Sequence, residues 1–383
     1  MNTVTLLAAD GGVSQLDLRE PLPAAPDRRI RSRIAFAAPH VVPVVSGDNT
    51  PGAPAEIDWD TTLAFRHHLW ACGLGVADAM DTAQRNMGLD PAATRELIAR
   101  SAAEAKSVGG KLLVGVGTDH VEDESVPLPE IIDAYLLQLH HAEDHGADAV
   151  LMASRHLARA ATSAADYEHV LGEVLKRAAA PVVLHWLGPA FDPNLDGYFG
   201  SPDLDAAADT VVRIITEHRD KVTGIKLSLL DADRERRLRA RLPDGVRMFT
   251  GDDFNYAELI EGDGTRHSDA LLGAFSAFAP VAAAALDALG SPSPARYRTL
   301  MEPTVPLSRH LFSKPTYHYK TGIAFLSWLN GHQRSFSMLN GMHAARSLPH
   351  LSATVALADA AGALERPDLA AARWNALLAL HGV

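Results

Sequence analysis

The sequence contains one cysteine, Cys72, among its 383 residues. A single cysteine excludes an intramolecular disulfide scaffold and any zinc or iron–sulfur site built from cysteines. The sequence also lacks a run of about 20 apolar residues, the length that a membrane-spanning helix needs. Its first residues, MNTVTLLAADGG, lack the basic and then apolar pattern of a signal peptide. We therefore expect a cytoplasmic protein with no membrane partner.

Positive charge is scarce. Lysine and arginine number 35 against 47 aspartates and glutamates, so the formal net charge is −12. A negative protein has no general attraction for nucleic acid, and we expect no nucleic-acid partner. Hydrophobic residues make up 47% and charged residues 21% of the chain, which is typical of a globular protein with a sizeable core. These features favour an enzyme with a small-molecule substrate.

Short β-branched runs alternate with longer helical stretches rich in alanine, leucine and arginine. This alternation predicts parallel strands joined by helical crossovers. Eight such units in about 250 residues fit a closed (β/α)₈ TIM barrel better than an open Rossmann-like sheet. We place the barrel at residues 31–290. The predicted strands are Ile34–Ala37, Gly75–Ala79, Lys111–Val116, Ala149–Met152, Val182–Trp186, Gly224–Leu227, Arg247–Thr250 and Ala270–Phe275.

The barrel is flanked by two extensions. In residues 1–30, two strand-like runs, Thr3–Ala8 and Val13–Leu18, surround an Asp-Gly-Gly turn and predict a β-hairpin followed by a connector. Residues 291–383 predict extra C-terminal helices, with one long stretch at Thr354–Leu380. Four apolar residues of this region are expected on an exposed face: Phe325, Leu326, Trp328 and Leu329.

Polar residues follow several of the predicted strands. In a TIM barrel the active site lies at the carboxyl ends of the strands, so these residues are the candidates for substrate contacts. They are Asp78 and Asp81 after the second strand, Thr118, Asp119 and His120 after the third, Arg155 and His156 after the fourth, His185 on the fifth, Lys226 and Ser228 on the sixth, and Gly251, Asp252 and Asp253 after the seventh.

Lys226 is the most informative of these residues. It lies in Val-Thr-Gly-Ile-Lys-Leu-Ser, within a strand that is otherwise buried. A lysine there must either pair with a carboxylate or lose its proton through desolvation. A lysine with a lowered pKa is what Schiff-base chemistry with a carbonyl substrate requires. From this run alone, a lysine that reaches solvent or forms an ion pair inside the barrel is an equally good interpretation.

The segments Gly224-Ile225-Lys226 and Gly251-Asp252-Asp253 resemble the dihydrodipicolinate synthase / N-acetylneuraminate lyase family of class I aldolases. In that family a Gly-Ile-Lys sixth strand and a Gly-Asp-Asp end of the seventh strand occur at similar spacing. The resemblance extends over residues 30–335 and is most specific in 224–253. It implies a TIM barrel, Lys226 as the Schiff-base lysine, no cofactor, and a homo-oligomer, either a dimer or a tetramer.

Other family motifs are replaced in this chain. The family's Gly-Thr-Thr-Gly-Glu turn, which holds the carboxylate of pyruvate, corresponds to a segment that carries Asp78 and Asp81. The family's proton-relay tyrosine on the fifth strand falls on His185, and its tyrosine pair after the fourth strand falls near Arg155 and His156. The chain therefore looks like a divergent branch of the family, and the resemblance does not extend to the pyruvate pocket.

The replacing residues suggest substitutes for the missing functions. His185 is a candidate general acid or base because imidazole titrates near neutrality, although a core histidine is an equal alternative. Asp78 and Asp81 would suit the hydroxyl groups of a sugar or polyol; their alternative role is helix capping. The loop 188–200 is a candidate lid whose Tyr198 would resupply a phenol, or else an ordinary surface loop. Arg85 is expected at the surface.

Three functions remain open on the sequence. The leading one is a class I aldolase-like lyase, or a hydratase, of carbohydrate metabolism that forms a Schiff base between Lys226 and a small keto or sugar-derived substrate. The alternative is a metal-dependent TIM-barrel aldolase or sugar isomerase that binds a divalent metal. Its ligands would come from Asp78, Asp81, Asp252, Asp253, His185 and His267. A third is a barrel without catalysis that serves as a sugar sensor or assembly subunit.

Overall fold

The computed structural model of the protein describes residues 2–22, 30–291 and 295–383. Most of the predicted connector (23–29) and the start of the predicted C-terminal extension (292–294) lie outside the described residues.

The N-terminal segment forms the predicted β-hairpin. Strands β1 (Thr3–Leu7) and β2 (Val13–Asp17) pair antiparallel, with Leu7 opposite Val13 at the turn. Gly11 adopts a φ of 85°, which a residue with a side chain rarely adopts. The Asp10 carboxylate accepts a hydrogen bond from the Gly12 amide at 2.9 Å and closes the turn.

Eight parallel strands close the barrel, and every predicted strand is present. They follow chain order around the barrel, and the last strand neighbours the first. The predicted (β/α)₈ TIM barrel is therefore confirmed. The strands are β3 (Ala35–Ala37), β4 (Gly75–Asp78), β5 (Leu112–Val116), β6 (Asp148–Leu151), β7 (Val182–Leu187), β8 (Val222–Ser228), β9 (Arg247–Thr250) and β10 (Asp269–Leu272).

Glycines allow close packing inside two of these strands. A Cβ built on Gly75 would overlap the ring of Phe36, and one on Gly224 would lie 2.7 Å from the ring of Phe249. Both aromatic rings are buried. An alanine at either glycine would push the ring out of its place in the core.

The crossover helices begin at sequence signals that are readable in the chain. Asp58, Asp90 and Asp231 cap helix N-termini, each accepting a backbone amide hydrogen bond, and Pro91 follows Asp90 in the first helical position. The crossover helices are α1 (Trp59–Ala71), α2 (Pro91–Val108), α3 (Leu128–Asp144), α4 (Arg155–Ala160), α5 (Ala164–Arg177), α6 (Leu204–Glu217), α7 (Ala232–Arg241) and α8 (Tyr256–Glu261).

The C-terminal region is helical, as predicted, but the stretch Thr354–Leu380 is not one helix. It is broken at 361–366, because Gly362 adopts a φ of 67° and Pro367 starts a new helix. No helix among residues 2–22, 30–291 and 295–383 is long and apolar enough to cross a bilayer. The C-terminal helices are α9 (Ala279–Leu289), α10 (Ala295–Met301), α11 (Thr304–Leu311), α12 (Tyr319–Leu329), α13 (Leu348–Ala360) and α14 (Pro367–Leu380).

The expectation of an exposed apolar face on α12 is wrong. Phe325, Leu326 and Leu329 have no exposed surface, and Trp328 is half-buried. The ring of Phe325 packs edge-on against Trp374 of α14 at a centroid distance of 5.7 Å. These residues form the core of the C-terminal region, so they give no support to a homo-oligomer, which now rests on the family resemblance alone.

The chain divides into two compact units. One comprises residues 1–76, 82–89 and 273–383, and the other comprises 77–81 and 90–272. The division predicted from the sequence, 1–30, 31–290 and 291–383, stays a prediction.

Within the first unit the hairpin is fixed to the C-terminal helices. The Trp374 indole donates to the Thr5 carbonyl at 2.6 Å, the Asn375 side chain accepts from the Thr5 amide at 3.0 Å, and Ser352 Oγ accepts from the Leu7 amide at 2.7 Å. These bonds satisfy the free edge of β1, which would otherwise be open to pairing with another strand.

Candidate active site

Lys226 lies at the centre of the candidate site. It is the fifth residue of β8, stands opposite His185 of β7 in the parallel register, and has 8% of its surface exposed. Burial lowers the pKa of the Lys226 ammonium below its usual 10.5, and the carboxylates of Asp81 and Asp253 partly offset this effect. The amine is thus easier to deprotonate than an exposed lysine while two acids remain nearby.

Ser228 and Gly251 shape the space around this lysine. Ser228 follows Lys226 by two residues on the same strand and therefore points to the same face. A Cβ built on Gly251 would overlap Ser228 Oγ and lie 2.7 Å from Lys226 Cε. The Lys226 side chain occupies the space that a side chain at position 251 would need. The predicted site residues Ser228 and Gly251 therefore both lie next to Lys226.

His185 contacts Ser228, the serine that shares a strand face with Lys226. Its Nε2 lies 3.1 Å from Ser228 Oγ, and its Nδ1 is buried with no hydrogen-bond partner among the described residues. Burial, together with the nearby Lys226 charge, holds the His185 pKa well below 6.5. The reasoning that His185 titrates near neutrality is therefore corrected. The imidazole is neutral, and any proton transfer through it must use the neutral ring.

The four predicted acids separate into two pairs. Asp81 and Asp253 act on the Lys226 charge. Asp78 has other partners: its carboxylate accepts from Ser101 Oγ of α2 at 2.6 Å and from the Ala79 amide at 2.8 Å. The expectation that Asp78 faces the mouth and meets substrate hydroxyls is thus corrected, because its carboxylate is occupied by these two donors.

Asp252 is also used within the fold. Its carboxylate accepts from the amides of Phe254 and Asn255 at 2.9 and 3.0 Å and from the Asn255 side chain at 2.8 Å. Burial raises the Asp252 pKa despite these bonds. Asp252 therefore shapes the turn between β9 and α8, and Asp253 is the acid of the pair whose charge raises the Lys226 pKa.

The residues after β6 form a separate network. Ser154 Oγ caps α4 and lies 2.7 Å from Thr118 Oγ1, which in turn lies 2.8 Å from His156 Nδ1. Arg155 is half-exposed and forms an ion pair with Asp192 of the loop 188–200. Thr118 follows the third barrel strand, as the sequence predicts, and it joins the polar residues after two neighbouring strands, β5 and β6.

The end of the loop 188–200 is packed inward. Tyr198 is 3% exposed and its hydroxyl accepts from the Ser154 amide at 3.0 Å, while a Cβ on Gly200 would lie 2.5 Å from the Ala164 amide nitrogen. Burial raises the Tyr198 pKa well above 10. A phenol held in this way is poorly suited to proton transfer, which argues against the suggested role for Tyr198.

The segment after β4 has an unusual backbone. Ala79, Gln84 and Asn86 all have positive φ angles of 50–66° although none is glycine. Such strained residues persist where the surrounding structure holds them, and they cluster at functional sites. Arg85, expected at the surface, is 2% exposed. The side-chain pattern alone gave no signal for these features.

Comparisons with known proteins were consistent with this fold. A family model described as "Protein of unknown function (DUF993)" matches residues 4–383. No curated protein matches the chain.

Solved structures of dihydrodipicolinate synthases share the fold. The chain is similar to that of Bacteroides thetaiotaomicron (TM-score 0.65, 18% identity, 86% of this chain and 99% of that chain). It is also similar to that of Thermotoga maritima (TM-score 0.64, 14% identity, 86% and 100%) and that of Bacillus clausii (TM-score 0.63, 12% identity, 86% and 98%). The fold resemblance predicted from the sequence is confirmed.

Proposed function

We propose that this chain, which belongs to the DUF993 family of proteins of unknown function, is a lyase that forms a Schiff base between Lys226 and a small carbonyl substrate. One observation carries the proposal: burial in strand β8 lowers the pKa of the Lys226 amine, and the charges of Asp81 and Asp253 partly offset this effect. The similarity to dihydrodipicolinate synthase structures supports the same class of chemistry.

The chemistry begins with the neutral amine of Lys226. It adds to the substrate carbonyl carbon, and the resulting carbinolamine loses its hydroxyl group as water to give an imine. Asp81 and Asp253 accept the proton that the amine sheds and return it to the departing hydroxyl. In a cleavage, the protonated imine takes up the electron pair of the breaking carbon–carbon bond and becomes an enamine, which is then reprotonated on carbon. In a dehydration, a base first removes the proton on the carbon next to the imine, the pair of that bond passes into the imine, and the enamine then expels the β-hydroxyl group as water. Water finally releases the product and restores the amine.

Ser228 and His185 complete the proton path. The serine hydroxyl lies on the same strand face as the lysine and 3.1 Å from His185 Nε2. Because burial keeps the imidazole neutral, it accepts or donates a proton only in concert with Ser228. This pair replaces a phenol relay.

The substrate class follows from Asp81, one of the two acids whose charges act on Lys226. Carboxylates accept hydrogen bonds from hydroxyl groups and repel a second carboxylate. Asp81 lies in the segment that replaces the carboxylate-holding turn of the dihydrodipicolinate synthase family, and it therefore favours a polyhydroxylated ketone or aldehyde over pyruvate. The substrate we propose is a small sugar-derived carbonyl compound.

The metal-dependent alternative is less well supported. Asp78 and Asp252 are hydrogen-bonded within the fold, as described above. Among the described residues, the histidine and carboxylate group with metal-ligand spacing is elsewhere and includes none of the strand-end acids.

The experiment is borohydride trapping. The full-length chain is incubated with a panel of keto sugars, aldoses and 2-keto acids, reduced, digested and mapped by mass spectrometry. We expect an adduct on Lys226 with a polyhydroxylated compound and none in Lys226→Arg. Lys221, which precedes the same strand at its opposite end and donates to the Ala178 carbonyl at 2.8 Å, provides the control Lys221→Arg.

Two outcomes would overturn the proposal. Turnover that EDTA abolishes, with no adduct on Lys226, would establish the metal-dependent alternative. If the panel gives no adduct and no turnover, the result would favour the barrel without catalysis.

A further inference from the structure

Two imidazoles and one carboxylate converge within the unit that contains the chain termini. His68 is in the last turn of α1, His332 follows α12, and Glu365 is in the break between α13 and α14. Glu365 Oε1 lies 2.9 Å from His332 Nε2 and 3.5 Å from His68 Nε2. One ligand atom from each side chain lies within 4.8 Å of the other two. We call these three residues the His-His-Glu cluster.

The separations fit a tetrahedral metal ion. Zinc bonds to imidazole nitrogen and carboxylate oxygen are about 2.0–2.2 Å long, so two ligands of a tetrahedral site lie about 3.3–3.5 Å apart. The 3.5 Å from His68 Nε2 to Glu365 Oε1 lies in this range, and the 2.9 Å from His332 Nε2 is a shorter, hydrogen-bond distance. An ion could enter after a small opening of the cluster, with its fourth position left to water.

The cluster is held in place by contacts that do not need an ion. The Asn330 side chain accepts from the Glu365 amide and donates to the Ala363 carbonyl, both at 2.9 Å, and so fixes the break between the two helices. The His332 amide donates to the Ser327 carbonyl at 2.9 Å. Such outer contacts are what orient ligands in metal sites.

Aromatic packing fixes the two imidazole rings. Phe65, one turn before His68 on α1, stacks on the His68 ring at 5.9 Å and an interplanar angle of 15°. It also lies 5.3 Å from the His332 ring. The two imidazole centroids are 4.2 Å apart. The side chains are 22%, 19% and 27% exposed for His68, His332 and Glu365, which leaves a path for an ion from solvent.

The charge of the cluster suits a cation. The Glu365 carboxylate presents the same oxygen, Oε1, to both imidazole Nε2 atoms. Two imidazoles and a carboxylate form a donor set that divalent transition metals, zinc above all, accept readily.

We propose that His68, His332 and Glu365 bind a zinc-class divalent ion. The ion joins the end of α1 to the turn after α12 and to the break between α13 and α14. This site is independent of Lys226 and of the proposed lyase chemistry.

The test is metal binding by the full-length chain. The protein is stripped with EDTA, exchanged into metal-free buffer and titrated with zinc chloride, and bound metal is measured by mass spectrometry and calorimetry. We expect one zinc per chain, a rise in melting temperature on zinc addition, and visible absorption bands of tetrahedral geometry when cobalt(II) replaces zinc.

Matched variants assign the ligands. We expect His332→Ala and Glu365→Gln to lose the stoichiometric zinc and the cobalt bands. His67→Ala should keep both, because His67 is the neighbour of His68 but points about 100° away on α1. Circular dichroism of each variant before metal addition separates loss of ligand from loss of fold.

Two results would overturn the proposal. The first is folded wild-type protein that takes up no zinc, in which case the cluster is a hydrogen-bonded clamp only. The second is equal zinc uptake by wild type, His332→Ala and Glu365→Gln. Borohydride trapping at Lys226 in His332→Ala keeps this test distinct from that of the lyase, since adduct formation needs no ion.

Discussion

The side chain of Lys226 passes directly over Gly251, so that a Cβ on the glycine would lie 2.7 Å from Lys226 Cε. Lys226 lies in β8, and Gly251 directly follows the neighbouring strand β9. A glycine at the end of β9 is therefore a condition for the position of the amine. The relationship explains why Gly251 precedes the acid pair Asp252-Asp253 at this strand end.

Gly251→Ala should disable Lys226 without unfolding the barrel. The new methyl group displaces the lysine and Ser228, and misplacement of a reacting group by about 1 Å can cost about 10²-fold in rate. The measurement is the rate of adduct formation under borohydride. Gly290→Ala is the control, because its Cβ would meet no atom closer than 3.4 Å. Equal adduct rates in the two variants would show that Gly251 does not position the lysine.

Asp253→Asn should lower the Lys226 pKa further. Burial lowers the Lys226 pKa and the Asp253 carboxylate raises it. Removing the carboxylate therefore removes one of the two charges that offset the effect of burial. The neutral amine then becomes available at lower pH. We expect the pH profile of Lys226 modification by a small amine reagent to shift to lower pH. A shift to higher pH would contradict the assigned charge relationship.

Asp78→Ala should cost stability rather than reactivity. The buried carboxylate accepts from Ser101 and Ala79, and its removal leaves those donors unsatisfied. We expect a loss of about 1–3 kcal/mol in the free energy of unfolding, measured by urea denaturation. Adduct formation at Lys226 should stay close to wild type below the unfolding transition. A selective loss of substrate affinity would instead return Asp78 to the site.

Glu235 should make the protein less stable at alkaline pH. Burial, partly offset by hydrogen bonds from Ser268 and Thr250, raises the pKa of this α7 carboxyl to about 8 from 4.5. The folded state therefore binds the proton more tightly than the unfolded state. The resulting stability is fully present below pH 4.5 and is lost as the pH rises through about 8.

Glu235→Gln provides the matched variant for this pH effect. The amide approximates the neutral carboxyl, so we expect the melting temperature of the variant to fall less than that of wild type between pH 5 and pH 9. Parallel falls in the two proteins would show that another group controls the alkaline loss.

Much of the barrel was predictable because its signals are local. A short buried run such as Val182–Leu187 predicts a strand, and a pair such as Asp90-Pro91 predicts the start of a helix. Neither signal needs information from distant parts of the chain. The position of Lys226 on a buried strand followed from the same pattern.

The errors came from contacts between distant segments. Asp78 and Asp81 are three residues apart, yet one bonds to Ser101 and the other acts on Lys226; only the fold separates them. Phe325 was predicted to be exposed because its packing partner, Trp374, comes much later in the chain and is not part of the local pattern. The residues around Gly362 have a composition typical of helices, so the sequence did not predict the break there. It therefore did not place Glu365 in that break.

The lowered pKa of the Lys226 amine can be measured without knowing the substrate. The chain has seven lysines. Reductive methylation with ¹³C-formaldehyde gives each a separate NMR signal, and Lys226→Arg identifies that of Lys226. We predict a Lys226 signal that titrates at lower pH than those of the other lysines. A Lys226 signal that titrates with or above those of the other lysines, or a Lys226 that resists methylation in the folded protein, would rule out a reactive neutral amine at this position.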